Sequence, residues 1–159
     1  MGQEIERKFL VIGDSWRTET PVTLRQGYLA NEISRSVRIR TDRSNGYLTV
    51  KGKAVGAVRP EFEYAIPLSE ANEMLDRLCL SPLITKRRHY VAIGGKRWEI
   101  DEFLEENRGL VVAEIELQEE DETFDRPPWL GQEVTNDPRY LNANLVNHPF
   151  SAWNSHDSL

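Results

Sequence analysis

The sequence predicts a mainly β (α+β) protein: about eight antiparallel strands closed into a tunnel, with a few helices packed outside. Three observations predict it. Strand-like runs recur along the chain with charged residues in one phase and apolar residues in the other. The dipeptides Asn45-Gly46 and Gly94-Gly95 separate pairs of such runs, and these residue types suit tight hairpins because they accept positive φ. Before residue 119, one stretch of helical periodicity interrupts the strands.

Taken in order, residues 3–11 form the first strand, with Glu4, Glu6 and Lys8 on one face and Ile5, Phe9 and Val11 on the other. Residues 22–29 form the second. Residues 36–42 and 47–53 flank Asn45-Gly46 and are expected to pair, and 60–67 follow as a fifth strand. Ser69 is a plausible N-cap for a helix carrying Ala71, Met74, Leu75 and Leu78 at helical spacing, which Ser81-Pro82 ends. Residues 84–93 and 96–104 make a second hairpin, and 110–118 a last strong strand. The acidic run Glu119–Glu122 reads as the solvated start of a short surface helix. Asp137-Pro138 reads as an N-cap followed by proline at the first helical position, opening a helix over 138–147. Residues 1–148 then make one domain, and 149–159 a polar, frayed tail.

Composition narrows the function. A chain of 159 residues with 26 acidic and 20 basic side chains carries a net charge of -6. That sign disfavours a nucleic-acid or anionic-membrane partner, so any polyanion site must concentrate its cations locally. The single cysteine, Cys79, lies in an apolar helical stretch and reads as a small core residue; it supports neither an internal disulfide nor a thiolate metal cluster. The chain starts on a strand-like run without the features of a signal peptide, and no segment approaches the ~18 apolar residues of a membrane span. A cytoplasmic location, as a monomer or homodimer, is expected.

The charged faces carry the functional signal. Arg38 and Arg40 share a face, as do Thr49, Lys51 and Lys53, Glu61 and Glu63, Lys86 and Arg88, Glu99 and Asp101, and Glu114 and Glu116. A solvated face would be better served by interspersed signs than by like charges two residues apart. An antiparallel sheet of this size can close on itself, which would gather these side chains in one lumen. Two unit charges ~4 Å apart interact by about 4 kcal/mol at an effective dielectric of ~20, so cations at that density require anions. A polyphosphate relieves the cations and divalent metals relieve the carboxylates.

These residues resemble the CYTH family, also called triphosphate tunnel metalloenzymes. Glu4-Ile5-Glu6-Arg7-Lys8-Phe9 is similar to the family's ExExK signature, and the later pairs fall in its order and approximate spacing over residues 3–146. Pro127–Thr135, leading into Arg139, Tyr140 and Asn142, is similar to the C-terminal part of small bacterial members. The resemblance implies a closed eight-stranded tunnel that binds a triphosphate and hydrolyses or cyclises it with Mg²⁺ or Mn²⁺. Carried over position by position, it implies that Lys8, Arg38, Arg40, Lys51, Lys86 and Arg88 cradle the phosphates. Lys53, on the same face as Lys51, joins them. Glu4, Glu6, Asp101, Glu114 and Glu116 would hold or orient metal, with Glu61 and Glu63 as second choices.

Phosphoryl transfer asks mainly for positioning and charge stabilisation. Lys8, if surrounded by cations, would have a depressed pKa and act as the base, with Glu6 or Glu116 as rivals. Tyr28 either shares that proton or simply packs. His89 falls in the apolar phase of its strand and reads as structural. An inorganic triphosphatase needs no organic pocket and is the first expectation. An adenylate cyclase would need an adenine pocket, and a thiamine triphosphatase an aromatic platform, for which Trp16 and Trp129 are candidates. A non-catalytic polyphosphate-binding module would need no carboxylate set.

Overall fold

A computed structural model describes residues 2–153. Nine strands form: β1 (Gln3–Val11), β2 (Val22–Asn31), β3 (Arg35–Thr41), β4 (Gly46–Gly52), β5 (Val58–Ile66), β6 (Ile84–Ile93), β7 (Lys96–Phe103), β8 (Val111–Glu116) and the short β9 (Leu130–Glu133). Neighbours are antiparallel in the order β5-β4-β3-β2-β6-β7-β8-β1, and β1 returns to β5. The expected eight-stranded tunnel is therefore closed. Its seam is short: Gln3, Glu4 and Ile5 lie opposite Pro60, Arg59 and Val58. Glu6 N donates to Ala57 O at 3.1 Å, and Glu61 N to Gly2 O at 3.1 Å, on either side of it.

Farther along, β9 takes the same edge of β1, with Phe9 opposite Glu133 and Val11 opposite Leu130. No strand was expected there, because four residues containing Gly131 and preceded by two prolines carry little β signal. A bidentate clip pins it, with Arg7 Nε and Nη2 donating to Glu133 at 2.8 and 2.6 Å. Arg7 thus stands in the otherwise apolar phase of β1 because it serves the outside of the barrel.

The apolar phases face outward under two covers, and a third apolar cluster sits at one end of the barrel. Phe9, Trp98, Ile100 and Ile115 pack with Trp16 and Trp129, and Trp98 meets Phe9, Phe124 and Trp129 edge-on at 5.7, 5.6 and 5.4 Å. Trp16 and Trp129 are therefore core residues and not platforms for a ligand. Ile84, Phe103 and Val112 stand in the same phases as Lys86, Asp101 and Glu114 and pack against Tyr140, Leu145 and Val146 at one end of the barrel, while outside Ile39 packs against Ala71 and Leu75 of α1 (Leu68–Arg77). Cys79 is partly buried beside this last group, and burial pushes its thiol up. His89 is buried; its Nδ1 accepts from Thr18 N at 3.0 Å, which ties the β1–β2 connection to β6.

Several local expectations are corrected. Pro67, not Ser69, precedes α1, and no side chain caps it. The Glu119–Glu122 run forms turns instead of a helix; Glu122 is drawn into an ion pair with Lys96 and accepts from Gln118 N at 2.6 Å. The 138–147 helix is two pieces, a 3-10 turn at Pro138–Tyr140 capped by Asp137 and then α2 (Asn142–Asn147), separated by extended Leu141. Phe150 and Trp153 pack onto the cluster that holds Tyr140 and Leu145, so the segment after Pro149 is anchored as far as Trp153. Residues 154–159 of the expected tail lie outside the described residues. No helix among the described residues is long and apolar enough to cross a membrane.

Candidate active site

The barrel encloses a cavity of ≈ 240 Å³, smaller than the ~300–1,000 Å³ typical of sites for organic ligands. Its described lining includes eight cations and seven carboxylates, so it is held together by ion pairing instead of apolar contact. The register explains how like-charged strands coexist. Lys8 stands opposite Glu114, Lys51 opposite Glu61, and Arg88 opposite Asp101, so these cations face carboxylates across the ladder, whereas Glu6 faces Glu116 and Glu99 faces Glu114.

Thirteen of the fifteen site residues read from the sequence converge on this cavity: Glu4, Glu6, Lys8, Tyr28, Arg38, Arg40, Lys51, Glu61, Glu63, Lys86, Arg88, Glu114 and Glu116. Two do not. Lys53 lies one residue beyond the end of β4, is exposed, and lines a neighbouring cavity instead. Asp101 has the right phase but is fully buried behind the wall. There it receives Arg88 Nε and Nη2 at 2.8 and 3.0 Å and pairs with Lys86 Nζ at 2.7 Å. Both of its oxygens are engaged by cations, which leaves it a positioning residue for Lys86 and Arg88 instead of a direct metal ligand.

Cations and carboxylates interleave around the lumen. Arg38 and Arg40 approach Glu63 at 3.7 and 3.5 Å, and Thr49 Oγ1 donates to the same carboxylate at 2.9 Å. Arg38 Nε is buried without an acceptor. An unsatisfied guanidinium donor at this depth is costly unless a ligand oxygen takes it. Burial lowers the Arg40 pKa, with Arg38 and Arg88 adding to the effect. Burial likewise pushes Lys86 down to about 8, outweighing the attraction of Asp101.

Lys8 Nζ lies 3.3 Å from Glu114 and 3.4 Å from Glu6, and Lys51 Nζ lies 2.9 Å from Glu4 and 3.3 Å from Glu61. This corrects the expectation for Lys8. Burial alone would lower its pKa, but Glu114, Glu6 and Glu4 outweigh burial and raise it. Its neighbours are anions, not the cations expected around a lysine base. Burial raises Glu4, Glu114 and Glu116, and other carboxylates reinforce it: Glu61 for Glu4, Glu6 for Glu114, and Glu4 and Glu99 for Glu116. Oxygen donors that resist ionisation together are what a hard divalent cation relieves, so this wall fits Mg²⁺ or Mn²⁺. Among the described residues no three His, Cys, Asp or Glu side chains already converge as a metal cage. The donor set suits the Mg²⁺ habit of binding through one or two carboxylates, with water and phosphate oxygens completing the shell.

Some lining residues were missed. Arg59 and Arg97 lie in the same phase as Glu61 and Asp101, and extending the two-residue alternation would have found them; Glu99 was placed on the face of Asp101 but given no role. Leu141, Asn142 and Ala143 come from the start of α2, which covers one end of the tunnel. Asn142 Oδ1 accepts from Lys86 Nζ and Gln26 Nε2, both at 2.9 Å. A lysine ammonium only donates, so the oxygen must face it and the amide orientation is fixed.

Known proteins resemble this chain in sequence and fold. A chain named inorganic triphosphatase from Acetivibrio thermocellus is 52% identical over 151 residues, 94% of this chain and 97% of that protein. Another of that name from Nitrosomonas europaea is 36% identical, covering 90% and 96%. A crystal structure of an inorganic triphosphatase superposes with a TM-score of 0.64 at 34% identity, covering 90% of this chain and 93% of that one. A putative adenylate cyclase from Bacillus halodurans, 17% identical with a TM-score of 0.60, shares the fold over 76% of this chain and 84% of its own. The CYTH domain model matches residues 2–149, and with relatives this similar along nearly the whole chain, the protein belongs to the CYTH domain family.

Proposed function

We propose that this protein is a divalent-metal-dependent inorganic triphosphatase that hydrolyses tripolyphosphate to pyrophosphate and phosphate. The observation that carries the reading is the cavity: ≈ 240 Å³, its described lining dominated by eight cations interleaved with seven carboxylates. The two relatives named inorganic triphosphatase support it. Nothing in the tunnel wall offers a stacking surface for a purine or thiazolium, since Trp16 and Trp129 are spent in the outer core. One chain supplies every wall, so a monomer is sufficient.

In this reading Arg38, Arg40, Lys86 and Arg88 grip the phosphate oxygens, the arginines as forks and the lysine as a point charge. Glu63 and Asp101 hold those cations in place, and Glu61 does the same for Lys51. Glu4, Glu6 and Glu114 hold the metal, which when bound supplies charge neutralisation at the phosphoryl oxygens. Tyr28 lines the lumen and packs with Ile84 and Phe103 at one end of the barrel. Lys8 remains an ammonium, bracing Glu6 and Glu114 and offsetting charge that develops on the phosphates. Glu116, a lumen carboxylate with no cation of the described residues within 4.0 Å, takes the proton of the attacking water.

Phosphate release measured on tripolyphosphate, ATP and thiamine triphosphate, with Mg²⁺ or Mn²⁺ titrated, tests the reading. The expected result is release chiefly from tripolyphosphate, abolished by EDTA and restored by metal. Preferential turnover of ATP to a cyclic product, or activity that survives chelation, would overturn it. The base assignment has its own test. Glu116→Gln is expected to erase the acidic limb of the kcat–pH profile, whereas Lys8→Met lowers kcat by about 10²–10³-fold at every pH without moving that limb. A limb that moves in Lys8→Met and stays in Glu116→Gln returns the proton to Lys8.

A further inference from the structure

Glu99 bridges two arginines of very different depth. Its Oε1 lies 3.2 Å from Nη1 of Arg88, whose side chain is 7% exposed. Its Oε2 lies 3.3 Å from Nη2 of Arg97, which is 67% exposed. Alternation along β7 builds the bridge: Arg97, Glu99 and Asp101 share the lumen phase, with Arg97 at the start of the strand and Asp101 opposite Arg88.

Arg88 carries more partners than a phosphate-gripping arginine can keep. Asp101 takes its Nε and Nη2 at 2.8 and 3.0 Å, and Glu99 takes Nη1. A phosphate oxygen brought to Nη1 competes with Glu99 for the donor and meets its carboxylate as a like charge. Asp101 is not free to yield, because it is fully buried and also pairs with Lys86 at 2.7 Å. Glu99 is, because Arg97 already stands beside its other oxygen. The Arg97 guanidinium lies over the Tyr90 ring, 4.7 Å from the centroid, and Tyr90 stands opposite Glu99 on β6, so this second partner is kept within reach. On its other flank Glu99 faces Glu114 across β7–β8, a like charge that offers it no alternative resting place.

We propose that Glu99 is a positioning residue that competes with substrate for Arg88 and is drawn off onto Arg97 as the triphosphate binds. Glu99 and Arg97 then set substrate affinity together, with opposite signs, through an exchange of counter-ions on Arg88. The proposal rests on the triphosphatase reading, since it takes Arg88 as a phosphate grip.

The test is a double-mutant cycle, read by calorimetric titration of tripolyphosphate in EDTA and by KM and kcat with Mg²⁺. Glu99→Gln is expected to bind about fivefold more tightly and to lower KM at little change in kcat, because the competitor is gone. Arg97→Gln is expected to bind about fivefold more weakly, because Glu99 then stays on Arg88, and Arg97→Lys to keep most of the affinity. In the Glu99→Gln background, Arg97→Gln is expected to change nothing. A residue that only braced the wall would not tighten binding when neutralised. An equal loss from Arg97→Gln in both backgrounds overturns the exchange, since Arg97 would then touch phosphate itself. So does a Glu99→Gln variant that binds tripolyphosphate more weakly, or that only needs more Mg²⁺ for half-maximal turnover, which would make Glu99 a metal ligand. If the wild type binds tripolyphosphate but cleaves none with any metal, the triphosphatase reading fails, and the exchange stands or falls on the same binding cycle. No binding by the wild type overturns both.

Discussion

Asp101 and Glu114 are both buried carboxylates of the same barrel, yet their ionisation runs in opposite directions. Burial opposes the charge of each. Arg88 and Lys86 overcome it at Asp101 and hold its pKa well below the usual carboxylate range, while Glu6 reinforces it at Glu114. A depressed acid stabilises the fold above its unfolded pKa and loses that contribution as pH falls toward its folded value; a raised acid destabilises the fold as pH climbs through its folded value. The metal-free protein is therefore expected to melt at higher temperature near pH 5 than near pH 7, and to lose stability again under strong acid. Divalent metal takes the place of those protons, so its stabilisation should be largest near pH 7 and shrink near pH 5. Scanning calorimetry with and without Mg²⁺ checks both signs. Asp101→Asn leaves two buried cations short of a counter-charge and is expected to cost about 3–5 kcal/mol, read as a lowered melting temperature.

At the scale of elements, each helix is tied to the barrel by one close approach. A Cβ on Gly46 would lie 2.6 Å from Ala71 Cβ, so α1 sits against the β3–β4 hairpin with no room for a methyl group. Gly46→Ala should destabilise the fold by about 1–3 kcal/mol in denaturant melts. α2 is fixed through Asn142, and Asn142→Ala deprives Lys86 and Gln26 of a shared acceptor at a cost of about 1–3 kcal/mol. Because Lys86 lines the tunnel and is proposed to grip phosphate, the same variant should also raise KM for tripolyphosphate several-fold; an unchanged KM would limit Asn142 to a structural role. The long strands and both hairpins were legible because alternation and turn dipeptides are local signals. β9 and the divided 138–147 segment were not, since each depends on partners distant in sequence. Arg7 was the clue overlooked: a charge in the apolar phase asks for an outer partner, and Glu133 is that partner.

For the whole molecule, closure was the decisive inference: phase allowed it, the family resemblance implied it, and thirteen of the side chains named from the sequence share one cavity. Depth was not readable. Alternation says which face a residue takes, but not that Arg88 and Lys86 would cover Asp101, or that β4 would stop before Lys53. Ends of strands and second layers are set by tertiary packing, which leaves no periodic trace.

The barrel also has a weakest stave. Two ends of a continuous sheet are joined by three residue pairs, Gln3–Ile5 against Val58–Pro60, and one of the three is Glu4, whose carboxylate faces the lumen. Whatever tugs on the amino terminus therefore pulls on catalytic geometry. Purification handles and fusion partners belong at the carboxyl end, and trimming the first five residues should uncouple the joint and silence the enzyme while most of the hydrophobic interior stays intact.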